Sequence, residues 1–241
     1  MARPLPRGKL LGGCSSTNAT FALRGHPGDY DAWAQAGNDG WSFDEVLPFF
    51  TCLEDDADFG AAAWHGDGGP LPIRRYRDDE FTDVAQAGLT ALEQAGCKRV
   101  PDANAPGAVG VAALPTNTLH GERISTALAY LPSGRPRPAL TVRCGTEVSG
   151  LLVERDRVAG TCAMGSDPVA GAVVDAAGSV HGTGGLTVAD ASIMPDILSA
   201  NTHIPTIMIA ERVASLLVTH GTSVTRARPH GQAGPDSRET S

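Results

Sequence analysis

Basic residues are in short supply in this 241-residue chain. Its 19 lysines and arginines stand against 27 aspartates and glutamates, for a formal net charge of −8. They form no stripe, which excludes the phosphate-neutralising surface that nucleic-acid binding needs. Long apolar runs are missing too. The longest, 204–218, is broken by Glu211, Arg212 and Ser215, too short and too charged to cross a bilayer. Residues 1–7 carry positive charge with no apolar segment behind them, so no secretory signal is expected. The 5 cysteines are odd in number and include no C-x-x-C pair, which argues against a disulfide framework or a structural zinc site. Reduced thiols in a cytoplasmic protein are expected instead. No histidine pair has metal-ligand spacing, so His65 and His181 read as turn residues and a metal-dependent hydrolase finds no ligand set.

What is present suffices for a core. Hydrophobic residues make up 41% of the chain, and charged ones only 19%, a balance that excludes wholesale disorder. The 29 glycines and 17 prolines make turns frequent and disfavour long helical bundles.

Glycine and hydroxyl residues open the chain: Gly12-Gly13-Cys14-Ser15-Ser16-Thr17-Asn18, ahead of the apolar run 19–23. Gly12 and Gly13 allow close backbone approach to a ligand, while Ser15, Ser16 and Asn18 add polar groups. The same residues also suit the N-cap of a helix. A turn at 24–29 leads into a short helix through Trp33. Ser42 with Glu45 forms a capping box for a helix beyond it. Residues 64–73 read as a tight loop entering a strand. Phe81, Val84, Ala85, Leu89 and Leu92 recur at helical spacing up to Gly96. Residues 98–120 are irregular with weak strand character, and 123–131 read as a helix stopped by Pro132. Strands are expected at 140–143, 147–154 and 186–190, with a small hairpin at 173–182. An amphipathic helix at 204–218 tolerates Pro205 in its first turn. The polar residues 220–241 read as a disordered tail. The fold class is mixed α/β.

Three stretches, in this order, resemble the glucose–methanol–choline (GMC) family of FAD-dependent alcohol oxidoreductases, particularly its choline-dehydrogenase-like members. The first is 8–18, continuing through Arg24-Gly25-His26-Pro27 to Ala32-Trp33 and Gly40-Trp41-Ser42. The second runs from His65-Gly66 and Gly69-Pro70-Leu71 through Ser125-Thr126-Ala127 to Leu140-Thr141-Val142. The third runs from Gly160-Thr161-Cys162-Ala163-Met164-Gly165 through Ile193-Met194-Pro195 to Thr206-Ile207-Met208-Ile209-Ala210-Glu211. Cys14 and Thr17 depart from the first pattern.

The resemblance implies a cofactor-contacting loop at Gly13, Ser15, Ser16 and Asn18. It implies non-covalent FAD, because Thr17 stands where some members attach flavin through a histidine. It implies a strand at Glu147-Val148 meeting the adenine, and Asp190-Ala191 near the pyrophosphate and flavin. Residues 201–206, with Thr206, match the loop and helix start beneath the flavin ring. His203 falls at the second member of the family's catalytic pair, where a helix N-terminus offering free N–H groups would favour an anionic reduced flavin. Imidazole titrates near the pH at which a base must take an alcohol proton. Arg157 occupies the place of the first catalytic histidine, and a guanidinium cannot act as a base.

No Gly-x-Gly-x-x-Gly occurs in the sequence, and Gly160 leads directly into a motif from the family's C-terminal end. The chain therefore reads as an incomplete, internally deleted member lacking the N-terminal Rossmann unit and most of the substrate domain. Its expected parts are a GMC-like segment at 1–160, a second at 161–219 and the tail at 220–241. The implied reaction is oxidation of the CH–OH group of a small-molecule alcohol. The alternative is a non-catalytic remnant or interaction module that binds no flavin.

Overall fold

The computed structural model describes residues 7–131, 142, 144–145, 162–169 and 171–219. The expected strand at 147–154 with Val148, Arg157, the 158–160 junction and the 220–241 tail lie outside these residues, as does the 140–143 strand apart from Val142.

Local sequence rules place the first helices. The ring of His26 accepts a hydrogen bond from the Gly28 N–H at 3.1 Å, and the Asp29 carboxylate accepts one from the His26 N–H at 3.3 Å. Together they start α1 (Pro27–Gln35), whose first residue needs no amide donor. The Ser42–Glu45 box starts α2 (Phe43–Leu53). Both helices bury aromatic side chains: Tyr30 and Trp33 from α1, Phe50 from α2.

Strand β1 (Glu54–Asp56) leaves α2 directly and pairs in parallel with β2 (Leu71–Arg75). β2 in turn pairs antiparallel with β3 (Pro115–Thr116), giving the order β1-β2-β3. A parallel pair needs a crossover, and here the 57–70 loop supplies it. The loop lies hard against the end of α2. A Cβ on Gly66 would fall 1.9 Å from the Thr51 carbonyl oxygen, and one on Gly69 would fall 2.4 Å from the Glu54 nitrogen.

The expected helix at 123–131 is divided. Its first residues form β5 (Glu122–Arg123), the return strand of a hairpin with β4 (Thr118–Leu119). The turn between them places His120 and Gly121 at φ 51° and 81°, as a two-residue hairpin requires. The helix proper, α4 (Thr126–Tyr130), begins only after the Ser125 side chain caps it. Likewise the 13–18 residues cap no helix: they make a 3-10 turn (Gly13–Ser16), and Phe21 beyond it bridges to Thr116. Residues 173–182 double back through the bridge Val174–Val180. The 186–190 strand reduces to a single bridge between Thr187 and Ser179.

α3 (Asp83–Gln94) forms where the periodicity places it, capped by Thr82, yet none of its residues is buried. Val84 is 83% exposed. Spacing defines an apolar face; whether that face is covered depends on what the chain brings to it.

The core is built from both ends of the chain. Tyr30, Trp33, Trp41, Val46, Phe50, Leu53, Leu71 and Ile73 meet Met164, Val174, Ile193, Ile204, Met208, Ile209 and Val213. The last four of these lie on α5 (His203–Thr219), which packs on α2. The Arg212 guanidinium of α5 lies 4.8 Å above the Trp41 ring, and the Trp41 indole N–H donates to the Ala176 carbonyl at 2.9 Å. No helix among the described residues is long and apolar enough to cross a membrane.

Phe50→Ala, which empties a fully buried ring site at the α2–α5 contact, should cost about 3–5 kcal/mol. Val84→Ala on the bare face of α3 should change stability by no more than about 0.5 kcal/mol. Urea unfolding followed by circular dichroism measures both, and equal effects would show that the α2–α5 core is not what holds the chain together.

Candidate functional site

A cleft of about 560 Å³ opens between Gly12, α4 and α5. Its α5 wall is a single stripe, with Thr206, Ile207, Ala210, Glu211 and Ala214 at helical spacing. α4 contributes Thr126, Ala127 and Tyr130, with Leu131 at its end, and Ala189 closes one side. The walls are mostly small and apolar. The phenol of Tyr130 is held uncharged, its pKa raised by burial and then by the Glu211 carboxylate.

The polar side chains of the 12–18 loop are used in building the loop. The Ser15 hydroxyl donates to the Gly12 carbonyl at 2.5 Å and accepts from the Thr126 N–H at 3.0 Å. Ser16 donates to the Leu11 carbonyl at 2.7 Å. Asn18 Oδ1 accepts from the Thr20 N–H at 3.0 Å and from Arg123 at 2.8 Å. Only the backbone is left to face a ligand: Gly12 sits at φ 83° on the cleft wall, and nothing lies within 4 Å of where a Cβ on Gly13 would be.

Opposite, α5 starts at His203, whose N–H donates to the Asn201 side chain at 3.0 Å. The Thr206 N–H is spent on the Thr202 carbonyl, its hydroxyl likewise, and Pro205 has no N–H. The row of free donors expected at this helix start thus shrinks to the Ile204 N–H. His203 Nε2 is buried without a hydrogen-bond partner. Burial, and then the positive charge of Arg123, push this ring down to about 4. His203 is therefore neutral at pH 7. Asp190 is exposed and accepts from the Ser192 N–H at 2.7 Å, capping the short turn Ala191–Ile193; its neighbour Ala189 is the residue that reaches the cleft. Gly12 and Thr206, from the two ends of the chain, thus share one cleft, while Ser15, Ser16, Asn18 and Asp190 shape its borders.

A second constellation was not legible in the sequence. His65 lies in a turn, as expected, but its ring is wholly buried, with Nδ1 2.8 Å from Glu54 Oε1 and 3.1 Å from Asp56 Oδ2, and Nε2 2.9 Å from Asp102 Oδ2. Arg24 pairs with Glu54, and Arg75 bonds both Asp56 at 2.6 Å and Asp102 at 2.9 Å. Within the buried cluster three carboxylates face two guanidiniums and a protonated His65 cancels the remaining negative charge, while the half-exposed Asp58, 3.6 Å from Arg75, adds a carboxylate at its edge. Against the cost of burial, the Asp102 and Glu54 carboxylates raise the His65 pKa. Burial alone would raise Asp102, but the His65 contact and the neighbouring Arg75 charge hold it well below the usual carboxylate range. The ligand atoms of Glu54, Asp56 and His65 lie within 4.8 Å of one another, but the two guanidiniums already occupy these carboxylates, so the cluster is an ion network rather than a metal cage. Its members are spread from Arg24 to Asp102 at no motif-like spacing, so nothing in the sequence announces it.

Comparison with known proteins places these features in context. A family model described as GMC oxidoreductase matches residues 2–187. The chain is 40% identical over 160 residues to a 5-(hydroxymethyl)furfural oxidase of Methylovorus sp. (strain MP688), a match covering 66% of this chain and 30% of that protein. It is 36% identical over 155 residues to an oxygen-dependent choline dehydrogenase of Photobacterium profundum, covering 64% of this chain and 27% of the relative. Among solved structures, pyridoxine 4-oxidase from Mesorbium loti is similar at a TM-score of 0.58 and 38% identity, over 63% of this chain and 30% of that one. The chain thus spans less than a third of the length of the curated relatives it matches.

The ion network sets a pH dependence. His65, with its pKa raised on folding, contributes stability that is complete below its unfolded value near ~6.5 and is lost as pH rises through the folded value. Asp102 contributes above about pH 3.9, its unfolded value, and its share is lost as pH falls through the depressed folded value. The urea midpoint should decline on the alkaline side of about pH 6.5, and His65→Gln should lower the midpoint and flatten that decline. Parallel alkaline slopes for the two proteins would contradict a protonated His65.

Proposed function

Because the chain belongs to the GMC oxidoreductase family, we propose that it carries part of an FAD-dependent site for oxidising a primary alcohol to an aldehyde, with His203 as the acid/base. The observation behind this reading is the neutral, half-buried His203, whose Nε2 has no partner, on the first turn of the helix whose next residues wall the cleft.

The residues present fit a flavin in three respects. The cleft's volume, about 560 Å³, lies in the range of small-molecule sites, roughly 300–1,000 Å³. Ile207, Ala210 and Ala214 on the α5 stripe offer a planar ring an apolar surface. His203 Nε2, on the first turn of α5, and the Tyr130 hydroxyl, on the cleft wall, are buried polar atoms without a partner. Gly12 and Gly13, with the Ile204 N–H, Thr206, Asp190 and Ala191, would border the group. Val148, expected at the adenine, lies outside the described residues. When bound, FAD supplies an acceptor for the hydride leaving the alcohol carbon.

The chain's own residues do the rest. His203 would take the hydroxyl proton at a ring nitrogen, its low pKa keeping the imidazole neutral. The α5 stripe excludes water from the reacting centre. Ser15 and Asn18 act by rigidity, clipping the loop to Thr126 and Arg123. Nothing at Thr17 offers a ring nitrogen for a covalent link, so the flavin is held non-covalently. No Gly-x-Gly-x-x-Gly turn occurs in the sequence, so within this chain affinity rests on the cleft. Cys14, Cys52, Cys97 and Cys162 carry free thiols, which suits a reducing, cytoplasmic setting.

Incubation with FAD, removal of the unbound fraction and a visible spectrum test the reading. Blue-absorbing flavin should remain with the protein, and a primary alcohol added without oxygen should bleach it. His203→Ala should slow that bleaching by about 10²–10⁴-fold. A colourless protein that takes up no flavin would replace this reading with that of a non-catalytic module.

A further inference from the structure

We propose that Tyr130 and Glu211 are the cleft's orienting pair, a donor and an acceptor that read the imide edge of a planar heterocycle. That edge, an N–H flanked by carbonyls, is one end of a flavin ring; the other end carries only methyl groups. The proposal rests on the flavin reading above for the identity of the ring.

Elimination points to these two side chains. The polar side chains on the cleft wall are those of Thr126, Thr206, Tyr130 and Glu211, and the two threonines are already spent. The Thr206 hydroxyl donates to the Thr202 carbonyl at 2.6 Å, and the Thr126 hydroxyl lies 2.9 Å from that of Ser15. The Tyr130 hydroxyl is buried without a hydrogen-bond partner. Glu211 is half-buried and forms no ion pair among the described residues. Its neighbour Arg212 lies over the Trp41 and Phe49 rings instead.

The chemistry of the pair is complementary. Burial, and then the Glu211 carboxylate, keep the phenol protonated, so Tyr130 offers an O–H while Glu211 offers only acceptor oxygens. The two make no hydrogen bond with each other. A ring edge with a carbonyl beside an N–H satisfies both at once, the N–H through a charge-assisted bond to Glu211. Reversed, the ring would turn its methyl-bearing edge to them and leave both groups dry and unpaired, a cost that exceeds the net worth of a typical hydrogen bond. The rest of the wall, with Ala127, Ala189, Ile207, Ala210 and Ala214, is apolar and sets no such preference. Glu211 stands eight residues along α5 from His203, about 12 Å of helix. An edge held at Glu211 therefore leaves the remainder of the ring to extend toward His203.

The test measures binding of lumiflavin and of 3-methyllumiflavin, whose imide N–H is blocked, by quenching of flavin fluorescence on the full chain. The parent protein should bind lumiflavin about tenfold more tightly than the methylated ring. Glu211→Ala should weaken lumiflavin and erase that preference, whereas Glu211→Gln, which keeps an uncharged acceptor, should retain part of it. Tyr130→Phe should weaken lumiflavin by about tenfold without lowering the urea midpoint, because the hydroxyl it removes has no partner to lose. Equal affinity of the parent for the two flavins overturns the proposal, and needs no variant to fold. So does a preference that survives Glu211→Ala, or a lowered urea midpoint in Tyr130→Phe, which would assign the hydroxyl to the fold. Each of these results leaves the flavin reading standing, since a flavin is bound; a chain that binds neither ring ends both.

Discussion

The packing of α5 on α2 is the contact on which the rest depends. α5 belongs to the C-terminal part of the sequence and α2 to the first quarter, and their apolar faces close one core with Met208, Ile209 and Val213 against Val46, Phe50 and Leu53. Arg212 over the Trp41 and Phe49 rings seals the edge. Once that contact forms, the start of α5 is delivered to the same side of the molecule as Gly12, and the cleft between them follows. Two polar ties fix the arrangement. Ser199 bonds the Asp29 carboxylate through its N–H at 3.0 Å and its hydroxyl at 2.6 Å, and Trp41 reaches the Ala176 carbonyl.

The two polar constellations play different parts. Around His65 every strong charge has an opposite partner, and the cluster joins Arg24, β1, β2 and the loop at Asp102 into one rigid body. Such a network, fully matched, specifies a single arrangement of chains that share little apolar contact. Around His203 the opposite holds. Among the described residues Nε2 lacks a partner and Arg123 forms no ion pair, and the walls are mostly small and apolar. An unmatched polar atom costs stability and is retained where something else is to meet it.

How much of this could be read in advance differs by element. The capping box at Ser42–Glu45 and the Pro205-tolerant start of α5 gave two helices almost to the residue, because capping is local chemistry. α3 was equally legible, but its lack of cover was not. The division of 123–131 into β5 and α4 was hidden, since a two-residue strand exists only through its partner across the hairpin. The 13–18 hydroxyls fit a helix cap on local grounds; their partners are Thr126 and Arg123, more than a hundred positions away. The His65 network was likewise invisible, its members converging only in three dimensions. For the cleft, residue chemistry alone favoured a cap at 12–18 over a ligand contact, and family resemblance was what linked 12–18 with 201–206.

The account's central claim is that a flavin occupies the space between Gly12 and the first turns of α5. Mapping amide chemical shifts of the labelled chain during FAD titration tests it directly. The account predicts one saturating set of shifts at Gly12, Ala127, Ala189, Thr206 and Ile207, with the residues around His65 unmoved. Shifts centred on the α3 face or the His65 network, with the Gly12 and Thr206 amides silent, would contradict it.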